Sequence, residues 1–463
     1  MKKLFLTNSL LCCILILWEC NRIDLPVRDN NILCPVKYPA LLGIDRYSNE
    51  LSAEDAITVA SMYLNKDLKN TKSSVTSVVP ILDKKGSEQL YAVNYGDGFL
   101  LIPTSKAFVP IAAVCNGTYD ASLIIPQEQL LIEEMCERIA ANQASGDYEK
   151  YKDVWSFYEK KYNALTSFPL TRATNPDEAC QEMSDEWDGL DVYYLCDASS
   201  LPSDIYQSFY ATVQQEYQNS TIVYPDYSVI TVDSTPVSDE RGPYTKTGWG
   251  QSFPFNSAVP GGYRLGCLTV AVGQLMRSYG LPAGFTWGAM PDSTSNTFLS
   301  NYLANLRASL QIDTSGTGYL SHAVTYINSQ PYNCYSTSHN QASVISSINS
   351  KRPLIMYGRR EAADTTYGHF WICDGHRSLI PKMVYSLYVL VPYGNNVEYY
   401  KIREEEVFPY NGNVVLDYFR MNWGWYGNHD GYYFEESVQP ITGYNYHLNR
   451  MDLFITNKQA LYY

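Results

Sequence analysis

Gly266-Cys267-Leu268-Thr269-Val270-Ala271-Val272-Gly273-Gln274-Leu275-Met276 is the stretch on which the fold turns. Leu268, Ala271, Val272, Leu275 and Met276 recur at i, i+3, i+4, i+7 and i+8, the spacing of one face of an amphipathic helix. Tyr279-Gly280-Leu281-Pro282 supplies the stop, since Gly suits the residue after a helix and Pro cannot continue one. Cys267 is therefore predicted at the first helical position, entered through Gly261, Gly262 and Gly266. Unpaired N–H groups and partial positive charge at that tip predict a lowered thiol pKa and a cradle for an oxyanion. An isolated Cys is just as readily a small core residue. Its company has to decide.

Upstream stands Trp249-Gly250-Gln251, followed by Pro254-Phe255-Asn256, and the Gln251 amide is a candidate second oxyanion donor. Downstream, Gly368-His369-Phe370-Trp371-Ile372 reads as an apolar strand led by a candidate general base, with Asp374-Gly375 expected to turn the chain. Asn422-Trp423-Gly424-Trp425 continues a strand expected from Val414, placing an Asn to orient an imidazole and Trp to shield it. His376 is the rival base, expected on a returning strand beyond the turn. All six His lie from His322 onward, so proton-transfer chemistry is expected in this last part.

The rest of the chain sets the frame. With 463 residues, 45% hydrophobic and 18% charged, most of it can bury a core. A net charge of −14 with no basic run argues against a nucleic-acid partner. The 41 Tyr suggest a β-rich, extracellular-type surface. Lys2 and Lys3 before the apolar Leu10–Trp18 read as an export signal over residues 1–20. Cys20 raises lipidation as an alternative to plain secretion, while Trp18 and Glu19 stand where a lipoprotein signal usually has small residues; both outcomes stay open. The eight later Cys carry no CxxC pair, so no metal site is expected, and Cys180 with Cys196 is the nearest candidate bridge.

Residues 52–68 read as a helix, four short strands follow between 75 and 119, and helices are expected from Pro126 through Ile139 and from Tyr148 to Leu165. Residues 45–165 thus form an α+β unit. Residues 166–240 read as connector and entry, with a helix near Tyr206–Tyr217, and 241–463 as the catalytic domain with an extra hairpin over 379–406.

Taken in order, Trp249-Gly250-Gln251, Pro254-Phe255-Asn256, Gly266-Cys267, Arg352-Pro353-Leu354, Gly368-His369, Asn422-Trp423-Gly424-Trp425 and Gly431-Tyr432-Tyr433 resemble the streptopain family of papain-like cysteine peptidases. Tyr91-Ala92-Val93-Asn94, Gly98-Phe99 and Pro110-Ile111 in the first unit resemble its inhibitory propeptide. The resemblance implies a helical part carrying Cys267 as nucleophile and an antiparallel β part carrying His369 as base. Gln251 would complete the oxyanion hole, with Asn422, Trp423 and Trp425 around the imidazole. It implies no cofactor, protein or peptide substrates, and the chain's own first unit as intramolecular inhibitor. Tyr426 departs from the pattern, standing where the family usually has Gly. The expected protein is a secreted or envelope-tethered endopeptidase made as a zymogen, touching a membrane only through a lipid on Cys20. A non-catalytic surface binding protein on the same fold and a cell-wall peptide amidase are the alternatives.

Overall fold

The computed structural model describes residues 44–456 except 46, 68–74, 123, 125, 160–190, 196–200, 220–221, 223, 331, 360–367, 394–395, 408–414 and 436–450. The export segment, Cys20 and the Cys180–Cys196 pair lie outside the described residues.

The fold is α+β, a mixture of helices and antiparallel sheet. In the first unit, the Ala53–Asp67 helix precedes β1 (Val75–Leu82), β2 (Glu88–Tyr95), β3 (Gly98–Pro103) and β4 (Ala113–Asn116), which pair in order. The Pro126–Ser145 helix follows. Where the long helix from Tyr148 to Leu165 is expected, the described residues, which here end at 159, form a 3₁₀ turn at Glu149–Tyr151 and a short Lys152–Trp155 helix, with the Tyr151 and Trp155 side chains pinned in the core. Trp155 donates its indole N–H to the Phe108 carbonyl at 2.6 Å. Tertiary packing here overrides helical propensity.

Within the span read as connector and entry stand the expected helix, Ser203–Gln218, and two strands that the sequence reading did not include, β5 (Asp191–Tyr194) and β6 (Val229–Arg241). The catalytic part adds the Cys267–Tyr279, Thr297–Ser309, Leu320–Asn328 and Gln341–Asn349 helices. Its strands are β7 (Cys334–Ser338), β8 (Leu354–Arg359), β9 (Gly368–Tyr393), β10 (Asn396–Val407), β11 (Leu416–Asn422), β12 (Gly431–Phe434) and β13 (Met451–Ile455). All thirteen join one sheet, ordered β1-β2-β3-β4-β12-β11-β9-β8-β13-β7, with β6 and β10 flanking the far half of β9 and β5 beyond β6. The expected extra hairpin is β9 returning as β10, with Tyr393 opposite Asn396.

Two sequence expectations fail on β9. Asp374-Gly375 does not turn the chain. The strand runs on through it, and the register against β11 jumps from Gly375↔Arg420 to Cys373↔Met421, leaving Asp374 as the extra residue of a bulge. That bulge aims the Asp374 carboxylate inward, where it accepts from Arg420 at 2.7 and 2.8 Å and from the Thr245 backbone N–H at 3.1 Å. His376 consequently stays on β9, opposite Phe419, with its Nε2 2.7 Å from Asp417 Oδ1.

The first unit joins the catalytic part edge to edge. β4 pairs with β12, Cys115 opposite Gly431 and Ala113 opposite Tyr433. A Cβ on Gly431 would lie 2.0 Å from the Val114 carbonyl oxygen, so only Gly permits this approach. Phe108, Tyr151, Tyr418 and Phe434 pack into a common core across the joint.

Candidate active site

The Cys267–Tyr279 helix forms as its spacing predicts, with Gly280 in the left-handed conformation at its end. It is not amphipathic in use, however. Every residue from Leu268 to Tyr279 is buried, because it runs through the middle of the catalytic part. Its polar members find partners inside the protein: Thr269 donates to the Leu265 carbonyl, Gln274 to Thr247 and Asn422, and Arg277 pairs with Asp292 at 2.5 Å, while Gln274 Oε1 and Arg277 Nε are left over among the described residues.

Gly266 caps the helix at φ 83°, and a Cβ there would lie 2.5 Å from the Gly316 carbonyl oxygen. A side-chain-bearing residue is excluded twice over, by conformation and by space. Arg307 donates to the Arg264 carbonyl at 2.9 Å and also to the Asp313 carbonyl, clipping the 313–318 loop to the segment that delivers Cys267.

The sulfur of Cys267 faces the backbone N–H of Phe370, together with the N–H groups of Leu268 and of Cys267 itself. The helix tip therefore meets β9 one residue beyond His369. The expected lowering of the thiol pKa is not what this conformation holds. Burial pushes the Cys267 thiol up from 9.0, and the three N–H groups only partly oppose it. Desolvation outweighs the helix tip although Cys267 as a residue is only partly buried.

His369 is buried, and desolvation lowers its pKa to about 4, against a raising hydrogen bond to Trp423. Its Nε2 lies 3.0 Å from the Trp423 carbonyl oxygen. A carbonyl can only accept, so Nε2 carries the proton, and the lone pair of the neutral ring sits on Nδ1. The ring lies among Trp371, Trp423 and Trp425, with centroids at 6.1, 6.2 and 5.0 Å, and the last two indoles stack at 5.3 Å.

Asn422 differs from its expected place. Its Nδ2 donates to the Thr247 carbonyl at 2.7 Å, while its Oδ1 accepts from Gln274 at 3.1 Å and from the Gly424 N–H at 3.2 Å. The imidazole is thus held by the neighbouring Trp423 carbonyl, and Asn422 braces the turn that presents it. The Trp423 N–H in turn donates to Asp430 Oδ1 at 2.8 Å, and burial pushes that carboxyl up to about 7 against the pull of Arg420. Gln251 is placed by its backbone, whose carbonyl accepts from the Leu265 N–H at 2.9 Å, two residues before Cys267.

Three participants escaped the sequence reading. Trp371 was legible in principle, since it follows His369 by two residues on a strand and so shares its face. The Trp423 carbonyl and the Phe370 amide are backbone groups and leave no mark in side-chain patterns.

A Cys at a helix tip whose sulfur meets the strand that His369 leads is the arrangement expected of a thiol hydrolase. Residues 291–433 match the model of the Peptidase C10 family, a span that includes His369 and Asn422 and begins after Cys267. This is the streptopain family that the ordered motifs resemble, and the protein is a cysteine peptidase. No curated protein matches the chain. Among solved structures it is similar to a fragment of prointerpain A from Prevotella intermedia, at 14% identity and a TM-score of 0.43, covering 81% of this chain and 97% of that one.

Proposed function

We propose that this chain is a secreted or envelope-tethered cysteine endopeptidase made as a zymogen, with Cys267 as nucleophile, His369 as base and Gln251 as oxyanion donor. The observation that carries the reading is the meeting of the Cys267 sulfur with β9 at Phe370, directly after His369. In the reaction the thiol proton passes to Nδ1 of His369 as sulfur bonds to the scissile carbonyl carbon. The resulting oxyanion is met by the helix-tip N–H groups and the Gln251 amide. Collapse breaks the C–N bond, and the imidazolium returns its proton to the departing amine. Water, deprotonated by the same ring, then releases the acyl group.

The zymogen reading is supported by desolvation, which raises the Cys267 thiol and lowers the His369 imidazole to about 4, so that both groups are biased to their neutral forms with the proton on sulfur. It is also supported by contacts of the first unit. The Asn116 N–H donates to the Asp430 carbonyl at 2.8 Å, and its carbonyl accepts from the His429 N–H at 2.9 Å. Those residues end the loop whose Trp423 carbonyl holds His369, so the first unit, read as inhibitory propeptide, grips the loop that immobilises the base. A lipid on Cys20 remains the proposed means of tethering.

The full chain, after activation, is expected to cleave casein and to lose that activity with a thiol alkylator. Cys267→Ala should abolish cleavage, and retention of full activity would end the proposal. Casein left intact while purified peptidoglycan is digested would favour the amidase. Neither digested, with Cys267 alkylated normally, would favour the binding protein.

A further inference from the structure

Tyr426 lies in the 423–430 loop at φ 63°, and His429 in the same loop is at φ 60°. A left-handed backbone is costly for a residue with a side chain, on the order of 1–3 kcal/mol, and persists only where surrounding contacts demand it. For Tyr426 those contacts are visible. Its N–H donates to the Trp249 carbonyl at 3.2 Å. Its ring lies across Gly250, where an added Cβ would come within 2.4 Å of the ring carbons. Its hydroxyl accepts from the Ser252 N–H at 3.1 Å and donates to the Phe253 carbonyl at 3.4 Å. Every one of these partners flanks Gln251.

The Gln251 residue is therefore held from two sides. On the nucleophile side its carbonyl takes the Leu265 N–H, and on the other Tyr426 spans from Trp249 to Phe253 with ring, amide and hydroxyl. Phe255, fully buried, backs the tyrosine ring with its centroid at 5.7 Å. A five-residue loop bearing an oxyanion donor gains from such bracing, because an amide a fraction of an ångström out of place loses much of its hold on the transition state.

We infer that Tyr426 is a positioning residue, fixing the 249–253 segment so that the Gln251 amide is presented to the oxyanion. This rests on the peptidase reading and on Gln251 as donor. The competing role is a plain wall of the substrate groove, for which Tyr426 is exposed enough at 41%.

The two roles separate kinetically in the activated full-length protein. Tyr426→Phe keeps the ring and removes only the hydroxyl, and is expected to lower kcat on a peptide amide about tenfold with KM within about twofold. A peptide aldehyde, which forms a tetrahedral adduct needing the oxyanion donors, should bind more weakly by a similar factor. Alkylation of Cys267 by iodoacetamide, a displacement with no oxyanion, should keep its rate. In a Gln251→Ala background, Tyr426→Phe should have no further effect on kcat. A KM increase at unchanged kcat, or an equal kcat loss in both backgrounds, overturns the inference. Failure of the underlying reading looks different: Cys267→Ala would remain active, or iodoacetamide would leave hydrolysis intact.

Discussion

Cys267 and His369 show how burial can reverse an expectation drawn from local chemistry. The helix tip favours thiolate, yet desolvation acts on both groups toward their neutral forms. For the intact chain this predicts that iodoacetamide labels Cys267 only at a more alkaline pH than an ordinary thiol needs, and that activation moves the labelling profile to lower pH. An unchanged profile would show that the resting pair is already charged. His369 also predicts a stability slope. Its folded pKa of about 4 lies below the unfolded value of 6.5, so between these limits the unfolded chain binds the extra proton. Stability is accordingly whole above pH 6.5 and is lost as pH falls toward 4, by roughly 3 kcal/mol for this one group. Denaturant titrations of the Cys267→Ala protein should show that slope, and His369→Gln should flatten it.

The Cys267–Tyr279 helix was legible from spacing, and so was its tip. That it lies buried on all sides was not, because burial of Thr269, Gln274 and Arg277 depends on partners far along the chain. The same holds for β9, where a familiar turn signal, Asp374-Gly375, becomes a bulge because Arg420 waits opposite to pair with the carboxylate. Gly266→Ala is the informative substitution at this scale. Positive φ alone costs ~1–3 kcal/mol, and the approach to the Gly316 carbonyl adds strain by displacing the helix tip. Activity should fall by more than stability explains, measured as kcat on folded protein beside the unfolding midpoint. Unaltered kcat would mean that the tip tolerates displacement.

Taken whole, the molecule is one sheet rather than two separate bodies, since β4 pairs with β12 and a common aromatic core spans the joint. The abundant Tyr serve this interior as much as the surface. Tyr418 reaches from β11 to the Ile111 carbonyl at 2.9 Å, and Tyr433 and Tyr279 likewise bury rings while their hydroxyls find backbone carbonyls. Removing the first unit would bare the β12 edge together with Tyr418 and Phe434, both now 2% exposed. A chain beginning at residue 191 is therefore expected to refold in low yield, and residues 44–159 supplied in trans should raise it. Gly431→Val in the full chain should loosen the joint, read as faster limited proteolysis of the first unit. Equal refolding with and without that unit would show the joint to be dispensable.

What the sequence alone determined is chemistry that local spacing can encode: a Cys at the start of a helix, a His leading a strand, a Gln segment upstream, and the order in which they follow. The three-dimensional fold decided what depends on distant chain: that a Trp423 carbonyl rather than Asn422 holds the imidazole, that Asp374 bulges toward Arg420, and that the first unit completes the sheet. The division has a physical cause. Periodicity and capping arise from neighbours within a few residues, whereas desolvation, backbone hydrogen bonds between remote strands and edge pairing exist only once the chain has closed on itself.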